Sequence, residues 1–343
     1  MLSDLCGGEK IVGIYGLAKN TGKTVTLNTF ISELTQQGVS IGITSIGRDG
    51  EVFDVINNQL PKPRISFAPR MLVATSRLLL RQSGLVHEVL TVTPYLTPLG
   101  HVVVARVLEE GLLEIAGPGI GERTRRVAEI MLSHGAEKVL IDGAIDRRSA
   151  SSPVVSDAIV MATGAALGDG IEAIVRETVE AAQRVGIDEL ADSSIRSKCS
   201  AREDSFLLTH GGAVVGLSHT FALMERCEFV SSVCAEHGPI SHIVLRGAVC
   251  RAFLDGLIEI AGHGDIYVIA TDSSKYYIDD RSVSWYERQG IRLRVFKKTK
   301  LLAITVNPVY PPYSRLSSLE LRRTLEKSIP NVAVRDVMDK SYP

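Results

Sequence analysis

The sequence predicts an α/β protein built on a mainly parallel sheet with helices on both faces, and three observations lead there. Short apolar runs rich in β-branched residues alternate with segments whose apolar residues recur at helical spacing. Aromatic residues are only 5% of the chain, while Val, Ile, Leu, Ala and Gly abound, as in strands covered on both sides. The first apolar run passes at once into a glycine-punctuated loop and then a helix, the βα opening of a doubly wound sheet.

Residues 10–15 are the first strand, and Val25, Leu27, Phe30, Ile31 and Leu34 mark the helix behind it, with Gly38 as its stop. Residues 39–44 follow as the second strand and complete a βαβ unit. Between strand and helix runs Gly16-Leu17-Ala18-Lys19-Asn20-Thr21-Gly22-Lys23-Thr24. Its Gly-Lys-Thr end supplies what a polyphosphate needs: converging backbone N–H groups, a lysine to neutralise charge and a hydroxyl for Mg²⁺. The expected architecture is therefore P-loop NTPase-like. One feature departs from the usual loop: Leu17 stands where the first glycine is expected and Gly16 lies one residue early. Either the loop is one residue longer or its first turn, at residues 16–18, is built differently.

The polar segment Thr44-Ser45-Ile46-Gly47-Arg48-Asp49-Gly50-Glu51 follows the second strand, at the end of the sheet where doubly wound proteins place ligand-contacting loops. Pro61, Pro63 and Pro69 make residues 61–70 an extended crossing. Strands are expected at 101–107, after Thr97-Pro98-Leu99-Gly100, and at 112–116, before Gly117-Pro118-Gly119-Ile120-Gly121. A helix over 122–133 stops at Gly135. Residues 138–142 are the clearest later strand and end in an acid, Asp142; residues 157–162 are another, closed by Thr163-Gly164. Residues 168–186 contain a helix with apolar Ile171, Ile174, Val175, Val179 and Ala182.

The polar stretch 192–204 is a linker candidate, which assigns residues 1–191 to a nucleotide-binding domain. Residues 205–343 form a C-terminal α/β region that either completes the same sheet or stands as a second domain. Its strands are expected at 242–245, 266–271 and 301–306, and a helix around 318–327.

Candidate site residues follow from the loop. Lys23 reaches the β- and γ-phosphates and offsets charge during transfer; Thr24 offers its hydroxyl to Mg²⁺ or simply caps the helix. Lys19, Asn20, Thr21, Gly22 and Val25 complete the phosphate-wrapping set, although Lys19 and Asn20 read equally as exposed turn residues. Asp142, after its apolar strand, holds Mg²⁺ directly or through water, or else forms a turn before Gly143. Asp49 is a second carboxylate for the metal or for orienting a water, with Glu51 a weaker candidate. Asp146 and Arg147 read as nucleotide- or partner-facing, or as a local ion pair. Asn307 is either a base-reading amide or, as Pro308 favours, a turn residue. Cys227, Cys234, His237 and His242 match no zinc spacing, and no serine nucleophile elbow is present. The guanine-reading Asn-Lys-x-Asp pattern is missing, which favours adenine.

The formal net charge of −1, from 38 basic and 39 acidic residues, argues against a general attraction to nucleic acid or an anionic membrane. No apolar run approaches the roughly 20 residues of a membrane helix. The first residues do not form a secretory signal, and five cysteines without a Cys-x-x-Cys pair fit reduced thiols, so a cytoplasmic location is expected. A homo-oligomer is left open.

The loop Gly16 to Thr24 with Val25-Thr26-Leu27-Asn28, the segments Thr44 to Glu51, Thr97-Pro98-Leu99-Gly100, Ala116-Gly117-Pro118 and Ile141-Asp142-Gly143-Ala144-Ile145-Asp146-Arg147, and Ile304-Thr305-Val306-Asn307-Pro308 together resemble the B subunit of lysine 5,6-aminomutase reactivase. That resemblance implies a MutS-like ATPase partner subunit and a cobalamin-dependent aminomutase as client, with ATP and Mg²⁺ driving exchange of damaged cobalamin. ATP hydrolysis would proceed alone or only with the partner, and would move the Asp49 loop to grip or release it. No Asp-x-His-x-x-Gly cobalamin signature occurs here, so the corrinoid would stay with the client. The loop crest also resembles, over a short stretch, the GTP-binding adaptor of molybdopterin-guanine dinucleotide synthesis. Two other readings stand beside this one: a small-molecule ligase or kinase similar to dethiobiotin synthetase, and an adaptor that holds nucleotide without hydrolysing it.

Overall fold

The computed structural model describes residues 1–47, 65–143, 152–217, 223–261, 264–278, 281–310 and 314–337. Arg48, Asp49, Glu51, Asp146 and Arg147 lie outside the described residues. The chain forms two compact units, one made of Met1–Val179 together with Lys300–Pro343 and the other of Glu180–Thr299. The division therefore falls at 180 and 300 and not at the expected 192–204, and the last segment returns to the first unit.

The first unit is an α/β structure on a nine-stranded sheet. Its strands are β1 (Ile11–Gly16), β2 (Ile41–Ser45), β3 (Leu72–Ser76), β4 (His87–Thr97), β5 (Gly100–Val107), β6 (Lys138–Asp142), β7 (Ala158–Gly164), β8 (Lys300–Asn307) and β9 (Ala333–Asp336), in the order β9-β8-β7-β1-β6-β2-β3-β5-β4. Every pairing from β9 to β3 is parallel, and β5 and β4 close that edge antiparallel. The helices α1 (Lys23–Gln36), α2 (Gly121–Ser133), α3 (Ile171–Val185) and α4 (Ser318–Ser328) correspond to the four expected from spacing.

Local chemistry explains the central strands. Ile11, Val12 and Ile14 of β1 are buried at 1% exposure or less, which is why this run shows no polar alternation. Leu27, Phe30, Ile31 and Leu34 of α1 are buried against Val12, Ile14, Ile41, Ile43 and Leu140, while Val25 is only half-buried. Gly38 ends α1 in the left-handed region, and the Val39 N–H returns to the Leu34 carbonyl at 3.0 Å. The expected strand at 112–116 is shorter, Gly111–Leu113, and pairs antiparallel with Ile65–Phe67 inside the proline-rich crossing.

Asp157 ties the start of β7 to its neighbours. Its carboxylate accepts the Lys10 and Ile11 N–H groups at 3.0 Å each and Arg125 Nη2 at 2.9 Å. Burial pushes the Asp157 carboxyl up, but the Ile11 amide, Arg125 and the Lys10 amide together hold it below the usual carboxylate range. A depressed folded-state pKa means that the stabilisation is in place above the unfolded value and is lost as pH falls through the folded one. Asp157→Asn is expected to cost about 1.5–3 kcal/mol at neutral pH. The gap from wild type should close below about pH 4. Urea denaturation at both pH values checks this; a gap independent of pH would refute it.

The second unit carries a five-stranded sheet in the order Val214–Leu217, Ser205–Thr209, Ile240–Leu245, Ile266–Ala270, Ile291–Val295. The last three strands are parallel, and Ser205–Thr209 runs antiparallel to both its neighbours. Residues 192–204 are not a linker: Asp192 caps a helix, Ser193–Ser200, by accepting the Ser194 and Ile195 N–H groups at 2.8 and 3.0 Å. Ile195 and Cys199 of that helix pack against Phe206, Leu208, Val244 and Ile269. Two apolar residues suffice to dock it, too few to mark the stretch as helical by composition.

Candidate functional site

The carboxyl end of β1 feeds the glycine loop. The Leu17 N–H donates to the Ala162 carbonyl at 3.0 Å, and Leu17 is 6% exposed, so it prolongs the β1–β7 pairing by one residue. This accounts for the absent first glycine: the residue just past β1 keeps its backbone bonded to β7, and its side chain is buried. The turn is made afterwards, by Thr21 Oγ1 donating to the Ala18 carbonyl at 2.9 Å and by Asn20 and Gly22 at φ of +64° and +91°.

Gly22 is the N-cap of α1 and has no side chain to satisfy the first turn, which contains no acidic residue. The N-terminal dipole of a 14-residue helix is thus directed at the loop without a competing carboxylate on its own first turn. Thr24 and Val25 occupy that turn and are half-buried, whereas Lys19 and Asn20 are exposed on the crest and Thr21 is buried.

Strand order brings Asp142 to Lys23. β6 lies beside β1 with Asp142 in register with Ile14, and beside β2 with Asp142 in register with Ser45. Lys23 Nζ stands 3.0 Å from Asp142 Oδ1 and also donates to the Gly143 carbonyl. The Lys23 side chain is 18% exposed and that of Asp142 7%, so the pair is largely withdrawn from water. The Ile46 N–H donates to the Asp142 carbonyl and the Gly143 N–H to the Ile14 carbonyl, each at 3.0 Å, which holds three strand ends together.

The neighbouring loop is fitted to the same end of the sheet. Gly47 bonds to both Gly117 and Pro118 across it: its N–H donates to the Pro118 carbonyl and its carbonyl accepts the Gly117 N–H, both at 3.2 Å. A Cβ on Gly117 would lie 1.9 Å from the Ser45 carbonyl oxygen, so only glycine allows this approach. Of the predicted metal set, Asp142 is placed beside Lys23 and Thr24 lies next along the helix; Asp49 falls outside the described residues.

Two residues on β8 join the site in ways the sequence did not announce. Thr305 Oγ1 and Thr26 Oγ1 share a buried hydrogen bond of 2.7 Å. Asn307 Nδ2 donates to the Asn20 carbonyl at 3.3 Å, and the Asn307 side chain covers Gly22, where an added Cβ would meet it at 2.8 Å. The sequence offered Asn307 as a base-reading amide or a turn residue and placed Thr305 and Asn307 in a family motif, but gave no sign of their contacts with the loop and α1. Cys227, Cys234 and His237 lie on one helix of the second unit, Leu223–His237, and His242 is on a strand, its ring stacked on Tyr267 at 5.0 Å. Among the described residues no helix is long and apolar enough to cross a membrane.

No family model, curated protein or solved structure matches the chain.

Proposed function

We propose that this chain is a P-loop protein that binds ATP with Mg²⁺ and uses it to drive a partner. The observation that carries this reading is the ion pair at 3.0 Å between Lys23, placed directly after left-handed Gly22 at an uncapped helix N-terminus, and the strand-end carboxylate of Asp142. An ammonium, a ring of backbone N–H donors and an acid on the adjacent strand are the groups that phosphate and a divalent ion need. The loop amides and Lys23 would hold the phosphates; the Thr24 hydroxyl and Asp142 would hold Mg²⁺, directly or through water. The metal would supply charge neutralisation on the phosphate oxygens. On nucleotide binding Lys23 would exchange its carboxylate partner for phosphate and leave Asp142 to the cation, which would couple nucleotide and metal binding. A parallel sheet that changes direction of growth around β1, with β6 and β7 on either side, also suits a ligand at the strands' carboxyl ends.

The resemblance of the sequence motifs gives the partner: a MutS-like ATPase subunit and an inactivated cobalamin-dependent aminomutase, from which damaged cobalamin is exchanged. Titration calorimetry with ATP, in Mg²⁺ and in chelator, tests the binding. We expect affinity to fall severalfold without Mg²⁺ and that dependence to vanish in Asp142→Asn. ATP turnover and mutase reactivation with the partner subunit test the coupling. Reactivation that survives Lys23→Ala would overturn it, and stimulation of ADP release by a carboxylate or amine metabolite alone would favour the ligase reading.

A further inference from the structure

We infer that Asn307 is a positioning residue that fixes the phosphate loop in its binding shape. The inference rests on the nucleotide reading of that loop. The crest of the loop holds two residues in the left-handed region, Asn20 and Gly22, and only one of them is a glycine. Asn enters this region more readily than other non-glycine residues, yet φ +64° still costs up to about 1 kcal/mol, which its surroundings must offset. Asn307 provides that hold from a strand remote in sequence.

Its carboxamide is used at both ends. Nδ2 donates to the Asn20 carbonyl at 3.3 Å, and Oδ1 accepts the Val309 N–H at 3.3 Å. The second bond orients the amide so that its donor side meets the loop. Its Cβ lies 2.8 Å from where a Cβ on Gly22 would stand, and its own carbonyl accepts the Ala165 N–H at 2.9 Å, anchoring the backbone of this strand end to the end of β7. The Thr26–Thr305 hydroxyl pair fastens the same strand to the first turns of α1. β8 thus grips the loop before the lysine and the helix after it, and the amides of residues 20–23 are held between two fixed points.

This role differs from reading the base, and the difference is measurable. If Asn307 acts on the loop, its loss weakens every ligand that uses the phosphate contacts. If it reads a base, a ligand without a base is unaffected. Wild type, Asn307→Ala and Asn307→Asp, in the full-length chain, are to be titrated with ATP, GTP and inorganic tripolyphosphate, each with Mg²⁺.

Loss of one weak bond and of the packing on Gly22 predicts a drop of about fivefold to tenfold for Asn307→Ala, equal for all three ligands. Amide hydrogen exchange should accelerate at residues 19–23 while the sheet stays protected. Asn307→Asp retains the acceptor for Val309 and the packing but lacks the donor, so it should show the same faster loop exchange, and it serves where the alanine variant fails to fold. Unchanged tripolyphosphate affinity with weakened ATP would overturn the inference in favour of base recognition. Unchanged affinity for all three would overturn it outright. Failure of wild type itself to bind any of the three would instead sink the nucleotide reading.

Discussion

Lys23→Ala is expected to reduce affinity for Mg·ATP at least about 100-fold and to destabilise the protein in the absence of any ligand. On the nucleotide reading, the first effect follows from removing the ammonium that the Gly-Lys-Thr end would offer to the phosphates; charge-assisted contacts of this kind are worth about 1.5–3 kcal/mol each. The second effect follows from Asp142, whose side chain is 7% exposed and whose carboxylate would lose the ammonium 3.0 Å away. Leaving a mostly buried charge without its partner costs about 2–3 kcal/mol once the partial exposure of the lysine is discounted.

The two effects are separable. Lys23→Ala combined with Asp142→Asn removes both charges and should recover most of the lost stability without recovering binding. Chemical denaturation and calorimetry on the three variants measure this. Binding within about threefold of wild type for Lys23→Ala would end the case for a phosphate loop, since a tenfold change is only about 1.4 kcal/mol.

Gly164→Ala is expected to destabilise the protein by about 3 kcal/mol and to weaken nucleotide binding more than tenfold. Gly164 is the last residue of β7 and is in register with Asn307 on β8. A Cβ there would lie 2.0 Å from the Asn307 carbonyl oxygen and 3.0 Å from its Cβ. The first of these is backbone, so no rotamer change relieves it; the two strand ends must separate, and the Ala165 N–H bond to that carbonyl goes with them. Separation carries Asn307 away from the loop, which is why a small substitution on β7 should reach the phosphate contacts. Urea denaturation and ATP titration check both halves. A loss under about 1 kcal/mol would show that the strand ends yield freely and would remove the steric argument.

Much of the first βαβ unit was legible because its causes are local. An apolar run, a glycine in the left-handed region and apolar residues at helical spacing act over a few bonds, and β1, α1 and β2 lie within a residue or two of where those signals put them. Asp142 was legible for the same reason, as an acid closing a buried run. The hairpin β4–β5 was only half visible. Its second strand is buried and apolar, but its first exposes Val89, Val92 and Leu96, contains Pro94 and slips register twice, so no alternation survives to be read. The division of the chain does not fall at 192–204, because the low apolar content there belongs to a helix that Asp192 caps and two residues dock.

The sequence by itself determined that a glycine-punctuated loop joins the first strand to a helix, that Lys23 and Thr24 give it a charge and a hydroxyl, and that an acid closes a buried strand. Those properties follow from residue identity and near neighbours. Only the tertiary structure decided that β6 lies beside β1 and so puts Asp142 against Lys23, that the chain comes back at residue 300 to add β8 to the first sheet, and that Asn307 then lies over Gly22. Strand neighbourhood is a choice among distant partners, made by how apolar faces pack over the whole sheet, and it leaves no mark at the positions it joins.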